Sequence, residues 1–208
     1  MHMADTSQVN SIFELLMKGG IIMIPIILLS FISIYIFIER YIYIKKSAAP
    51  RNSLVNKILS EAAGRRYESA LADAKKDSSA FGRIFENGLI HAGKPAKEVE
   101  GYMESAANLE IALMEKDMGY LGIIAGVAPM LGFIGTIAGV IKIFYNISLA
   151  DNISIGIIAG GLYQKMICSG VGLIVGVIAY SAYHYLQMMI DRFTVKLQRD
   201  VSEFLKTL

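Results

Sequence analysis

The chain alternates between stretches that are apolar on every side and stretches whose apolar residues recur at helical spacing. Three of the first kind contain no Asp or Glu: residues 19–38, 121–141 and 153–189. About 20 apolar helical residues cover a ~30 Å hydrocarbon core, so each is long enough to cross a bilayer, the last with residues to spare. The remainder has a period near 3.6. Leu54, Ile58 and Leu59 form one short stripe, and Tyr67, Ala70, Leu71 and Ala74 form another. Asp77-Ser78-Ser79 offers a cap for a helix carrying Phe81, Ile84, Phe85 and Leu89, with Gly93 as its stop. Pro95 suits the first turn of a new helix, predicted to continue unbroken to Tyr145 over ~75 Å. Its first half repeats apolar groups at Val99, Tyr102, Ala106, Leu109 and Leu113. Beyond the third run, Phe193, Leu197, Val201 and Leu205 stand four apart, marking a second helical extension.

The expected fold is an all-α integral membrane protein with three transmembrane helices and long helical extensions. Residues 1–18 hold a short interfacial helix over 11–18, whose Ile12, Phe13, Leu15 and Leu16 lie on the lipid. Transmembrane helices then occupy 19–44, 120–145 and 153–189. A helical segment at 45–119, a short loop at 146–152 and a C-terminal helix at 190–208 complete the chain. The first span is rich in Ile, Leu and Phe with few small residues, a surface suited to lipid. Two extensions that each have a face to bury imply a bundle and a multimer.

Charge sets the expected orientation. Of 20 Lys and Arg residues, 13 lie between the first and second spans and four follow the third. The positive-inside rule places the N-terminus outside, and the long segment and C-terminus in the cytoplasm. The N-terminus lacks the basic region of a cleavable signal, so the first run is expected to remain. A net charge of +2 is too small to suggest a nucleic-acid partner, and the single Cys168 excludes a multi-cysteine metal site. Inside the third run, Cys168 reads as a small packing residue.

Candidate chemistry is sparse and lies in the spans. Gly122/Gly126 and Gly135/Gly139 have small-xxx-small spacing, Gly132/Thr136 extends it, and Gly172 and Gly176 repeat the device in the third span. Such residues let helix backbones approach where lipid removes the hydrophobic drive. Thr136, Gln164, Lys165 and Ser169 are the polar groups of interest. Lys165, Ser169, Gly172 and Gly176 share one helical face. A lysine in mid-bilayer costs roughly 3 kcal/mol or more, so Lys165 must reach water, headgroups or a carboxylate. Thr136 either bonds its own backbone or faces a pathway. With no acid in any span, a proton carrier has to come from another polypeptide. His91 stands at a helix end and reads as solvated, while His184 lies at the end of the third run. The soluble segments hold no phosphate loop, no HExxH and no nucleophile–base signature, so neither an enzyme nor a cofactor is expected.

Ala128-Pro129-Met130-Leu131-Gly132-Phe133-Ile134-Gly135-Thr136-Ile137-Ala138-Gly139 resembles the A-P-x-x-G-x-x-G-T-x-x-G signature of the MotA/TolQ/ExbB proton channel family. Ile158-Ala159-Gly160-Gly161 through Gly172-Leu173-Ile174-Val175 resembles its third-helix motif, and Gly88-Leu89, Gly93, Pro95 and Glu98-Val99-Glu100 its cytoplasmic segment. Glu39-Arg40 resembles the end of its first helix. Three spans and this length are nearer ExbB and TolQ than the four-span flagellar stators. The resemblance implies a homopentamer around a pore that holds the single-span helices of an ExbD-like partner, each with a membrane aspartate. It also implies a bacterial inner-membrane location and a TonB-like protein as the driven component. Thr136 matches the family's pore threonine, and Ser169 stands where helix three has a second hydroxyl. Gln164, beside the atypical Lys165, replaces a glutamate common in ExbB proteins. The implied function is an ExbB-like motor subunit driven by proton motive force. A TolQ-like envelope motor, a gliding or secretion stator and a purely structural membrane scaffold are the alternatives.

Overall fold

A computed structural model describes residues 20–49, 51–149 and 155–208. The interfacial helix expected over residues 11–18, and positions 150–152 of the expected loop, lie outside them. Seven helices occupy the described residues: α1 (Met23–Ser47), α2 (Asn52–Ala63), α3 (Tyr67–Lys76), α4 (Ala80–Ile90), α5 (Ala96–Glu115), α6 (Met118–Ser148) and α7 (Ile155–Leu205). Helices α1, α6 and α7 carry the three apolar runs, and each is long and apolar enough to cross a membrane. The chain divides into two units. The first comprises residues 1–36 and 119–183, the second 37–118 and 184–208.

In the first unit, Met23 and Ile26 of α1 join Ile124 and Ala128 of α6 and Cys168, Val175 and Ala179 of α7 in one apolar core. The first span is therefore not purely a lipid surface. One face packs inward, while Ile21, Ile24, Leu28, Phe31 and Tyr35 are left uncovered by this chain. Backbone contact brings α6 and α7 together. A Cβ on Gly172 would stand 2.6 Å from the Ala128 carbonyl oxygen and 3.1 Å from Gly132 Cα. A Cβ on Gly176 would stand 2.5 Å from Pro129 Cγ and 3.0 Å from the Ala125 oxygen. Both helices present backbone to each other, which only residues without a side chain permit.

The second unit is a helical bundle with a conventional apolar core. Ser79 caps α4 as expected, accepting a hydrogen bond from the Gly82 amide at 3.3 Å. Phe81, Ile84, Phe85 and Leu89 are buried, and the rings of Phe81 and Phe85 meet Phe193 and Phe204 of α7 edge to face at 5.0 and 5.6 Å. Arg83 fixes the bundle by polar contacts. Its guanidinium donates twice to buried Glu110 at 2.5 Å, and also to the Ser78 carbonyl and the Ser47 hydroxyl. The Glu110 carboxylate raises the Arg83 pKa, so the guanidinium stays charged.

Several expectations change. The single helix expected from Pro95 to Tyr145 is interrupted at Lys116-Asp117. Asp117 takes a left-handed φ of 62°, which Asp tolerates better than most residues. Arg40, itself bonded to Glu39, donates to the Leu113 carbonyl at 3.2 Å in the last turn of α5 and satisfies an end that helix continuation would otherwise serve. No proline or glycine at the break announced it. Conversely, the third expected span and the C-terminal extension are joined across residues 189 and 190 in one uninterrupted helix, α7, Ile155–Leu205, of 51 residues. The buried face of α5 is also rotated: Val99, Met103, Glu110 and Met114 are inside, whereas Tyr102, Leu109 and Leu113 are exposed. Met103 sits against Gly88, where a Cβ would come 2.6 Å from its Sδ, so a small residue on α4 chose the face. On α7 the inward residues are Phe193, Leu197, Asp200 and Phe204, with Leu205 at the edge. Helix α4 ends before Gly93 with His91 as its cap. His91 is not a lone solvated side chain, for it stacks on Tyr102 at 3.7 Å.

Two predictions follow from this packing. Gly172→Ala must push α7 away from the α6 backbone and is expected to cost about 1–3 kcal/mol, whereas Gly126→Ala meets no atom of this chain and should be neutral or slightly stabilising. Thermal melts in detergent check the contrast, and equal losses would contradict the close approach. Asp200 is buried with Oδ2 unpartnered, and burial raises its pKa despite the Lys196 and Arg199 charges on its own helix. A carboxylate with a raised folded pKa carries a penalty at neutral pH that fades as pH falls through that pKa. Asp200→Asn should therefore raise the melting temperature at pH 7 and lose this advantage on acidification.

Candidate functional site

Thr136, Lys165 and Ser169 lie along the α6–α7 seam, and the seam's glycines are the reason. Gly135 faces Cys168, whose Sγ would be 2.9 Å from an added Cβ. Cys168 is fully buried there as a packing group. Gly139 lies under the methylene stem of Lys165, with no room for a Cβ beside Cγ, Cδ and Cε. Gly132 lies against the Ser169 backbone, with Ser169 Cα 3.0 Å from the position of a Cβ. Four of the glycines predicted to pack (Gly132, Gly135, Gly139 and Gly172) thus line one continuous seam, and Gly176 extends it against Pro129. Gly122 and Gly126 differ, since among the described residues no atom of another element comes within 4 Å of a Cβ at either position.

Thr136 sits between the two helices. Its hydroxyl donates to the Gly132 carbonyl at 3.1 Å, with the Lys165 carbonyl of α7 at 3.5 Å. The backbone bond expected for a threonine in a span is therefore present. With the O–H directed at backbone oxygens, the lone pairs of Oγ1 remain as acceptors. A protonated carboxylic acid could donate to them. An ionised carboxylate would first have to draw the O–H away from Gly132.

Ser169 stands one helical turn beyond Lys165, half-buried in an apolar recess formed with Pro129, Met130, Phe133, Ile134 and Leu173. Sequence reasoning named the serine but not this recess. Its only sequence signal was the continuous apolar run around Pro129. Lys165 runs along Gly139 until its Nζ lies 3.5 Å from the place of a Cβ on Gly20, at the head of α1. Gly20 has a left-handed φ of 82°, which brings backbone close to the ammonium. The lysine thus lays its stem on apolar backbone and carries its charge toward the end of a span, as a snorkelling side chain does. Among the described residues, no carboxylate lies within ion-pair distance of it. The backbone of Gln164 is part of α7, and its side chain lies outside the described part.

Residues 76–199 match the MotA/TolQ/ExbB proton channel family, a span that includes α4 to α6 and most of α7. The chain is 28% identical over 168 residues to the biopolymer transport protein ExbB-like 3 of Synechocystis sp., covering 77% of this chain and 78% of that protein. It is 30% identical over 188 residues to a biopolymer transport protein ExbB homologue of Methanothermobacter thermautotrophicus, covering 88% of this chain and 65% of that one. Its similarity to the Tol-Pal system protein TolQ of Haemophilus influenzae is 24% over 118 residues, 55% of this chain and 52% of TolQ. With a signature seam built on α6 and α7 and three helices fit to span a bilayer, this chain is a multi-pass membrane protein that belongs to the MotA/TolQ/ExbB proton channel family.

Proposed function

We propose that this chain is the ExbB-like, ring-forming subunit of an inner-membrane motor driven by proton motive force. Its periplasmic N-terminus and cytoplasmic C-terminus follow from the distribution of Lys and Arg. The proton carrier is a membrane aspartate on a single-span, ExbD-like partner, and the driven component is a TonB-like protein that energises outer-membrane transport. The observation that carries this reading is the Thr136 hydroxyl, bonded to α6 and facing an α7 carbonyl in a seam without any acid of its own. A protonated partner acid would be held by the free lone pairs of Thr136 and shielded in the apolar recess beside Ser169. Ionisation would make that recess costly and drive the partner helix onward. One proton crossing 100 mV supplies about 2.3 kcal/mol, enough to bias such a step. The reading assigns no enzymatic step and no cofactor to this chain.

Motors serving a TolQ-type envelope task share these requirements, and the similarity to TolQ keeps that second reading open. The identity of the partner separates them. Co-purification with a one-span protein bearing a membrane aspartate, with subunits counted, tests the motor reading. A chain that conducts protons alone at full rate contradicts it.

Thr136→Val with Ser169→Ala removes both hydroxyls while keeping size. Partner-dependent proton flux into vesicles is expected to drop about 3- to 30-fold, one to two net hydrogen bonds' worth, with assembly intact. Unchanged flux would remove the hydroxyls from the pathway. Lys165→Met keeps the stem over Gly139 and deletes the charge. Assembly should persist while the pH profile of flux shifts, and an unaltered profile would leave Lys165 with packing alone.

A further inference from the structure

In the second unit, α5 and the end of α7 diverge enough to leave a groove of ≈590 Å³. Its floor carries Ala107, Ile111 and Val201 over the buried Met103 and Leu197; its α5 rim bears Glu100 and Glu104, its α7 rim Gln198 and Ser202, and Lys206 stands at one end. A different face of α7 carries a ridge of opposite character. Met188, Arg192, Val195 and Arg199 follow one another at spacings of four, three and four residues, so they share a stripe. None of the four is buried, and Val195 is 68% exposed although apolar. The inward residues of the same helix, Phe193, Leu197, Asp200 and Phe204, lie on another side.

We infer that the groove receives this α7 ridge from a second copy of the chain. Met188 and Val195 enter the apolar floor, and Arg199, with Arg192 beside it, meets the acidic rim at Glu104 and Glu100. Val195 between Arg192 and Arg199 matches an apolar strip flanked on its α5 side by Glu100 and Glu104, so the contact is complementary in both terms. Ridge and groove are different surfaces of one chain, so the interface is heterologous. Each copy keeps a free ridge and a free groove after pairing, and assembly continues until a ring closes. The exposed Tyr102, Leu109 and Leu113 of α5 are the competing ridge, but its cation, Lys116, stands beyond the end of the helix rather than between the apolar residues. This assignment rests on the ring-forming reading above and supplies its contact. Proton flux tests the pathway and cross-linking tests the interface, so either can fail alone.

Two differently tagged full-length chains, one Glu104→Cys and one Arg199→Cys, are co-expressed and oxidised in native membranes. The buried Cys168 of the unaltered chain serves as the background. Cross-linked dimers carrying both tags are expected, at least ~10-fold above either variant alone. Arg192→Glu with Arg199→Glu in otherwise unaltered chains should reduce the assembled fraction in native mass measurements, and adding Glu100→Lys with Glu104→Lys should restore it. Monomer melts exclude misfolding as the cause of loss. Cross-linking of Glu104→Cys to Leu109→Cys instead would give the groove to α5. Self-cross-linking of Glu104→Cys would indicate a two-fold dimer. Either result, or no mixed dimer from folded chains, overturns the inference.

Discussion

Backbone contact between α6 and α7 is the constraint on which the candidate site depends. Two apolar helices in lipid gain little from hiding carbon, because lipid tails are as apolar as their side chains. What remains is close packing, which grows as the backbones approach. Gly132, Gly135, Gly139 and Gly172 remove the side chains that would prevent this, and every polar group of the seam takes its position from the result. Thr136 reaches an α7 carbonyl because Gly132 and Gly172 let the helices meet one turn away. Lys165 finds a bed for its stem because Gly139 leaves one. Any larger residue at these positions would move the hydroxyls as well as loosen the fold.

The second unit uses different physics. Its helices bury phenylalanines edge to face and fix their orientation with an ion pair between half-exposed Arg83 and buried Glu110, the arrangement of a water-soluble bundle. Such a pair is weak evidence for stability and better evidence for orientation, since its directional bonds reach Ser78 and Ser47 as well. Carbonyls at the end of α5 are served in the same spirit by Arg40. One chain thus holds two packing regimes, and the ion pairs lie in the one that does not require lipid.

That division was largely legible in the chain itself. Long apolar runs without acids fix the number and place of the membrane-competent helices, because no other arrangement satisfies backbone groups in hydrocarbon. Caps such as Ser79 and stripes such as Phe81, Ile84, Phe85 and Leu89 are local devices, and local devices are readable from spacing. The family signature from Ala128 to Gly139 gave the seam on α6, and the glycines of α7 gave its counterpart.

Which way each helix turns was decided by partners distant in sequence. Helix α5 offered two apolar faces, and Met103 rather than Tyr102 went inside because Gly88, on another helix, left space for its sulfur. The break at Lys116-Asp117 needed Arg40 from α1, some 70 positions away, to satisfy Leu113, so no local residue could reveal it. Gly122 and Gly126 have the same spacing as Gly135 and Gly139 yet meet nothing in this chain, because spacing records only that an approach is possible. Sequence periodicity determines which residues share a face, since that follows from helix geometry alone. The tertiary structure decides what the face meets, since that depends on the rotation and separation of helices that the chain's local preferences leave free.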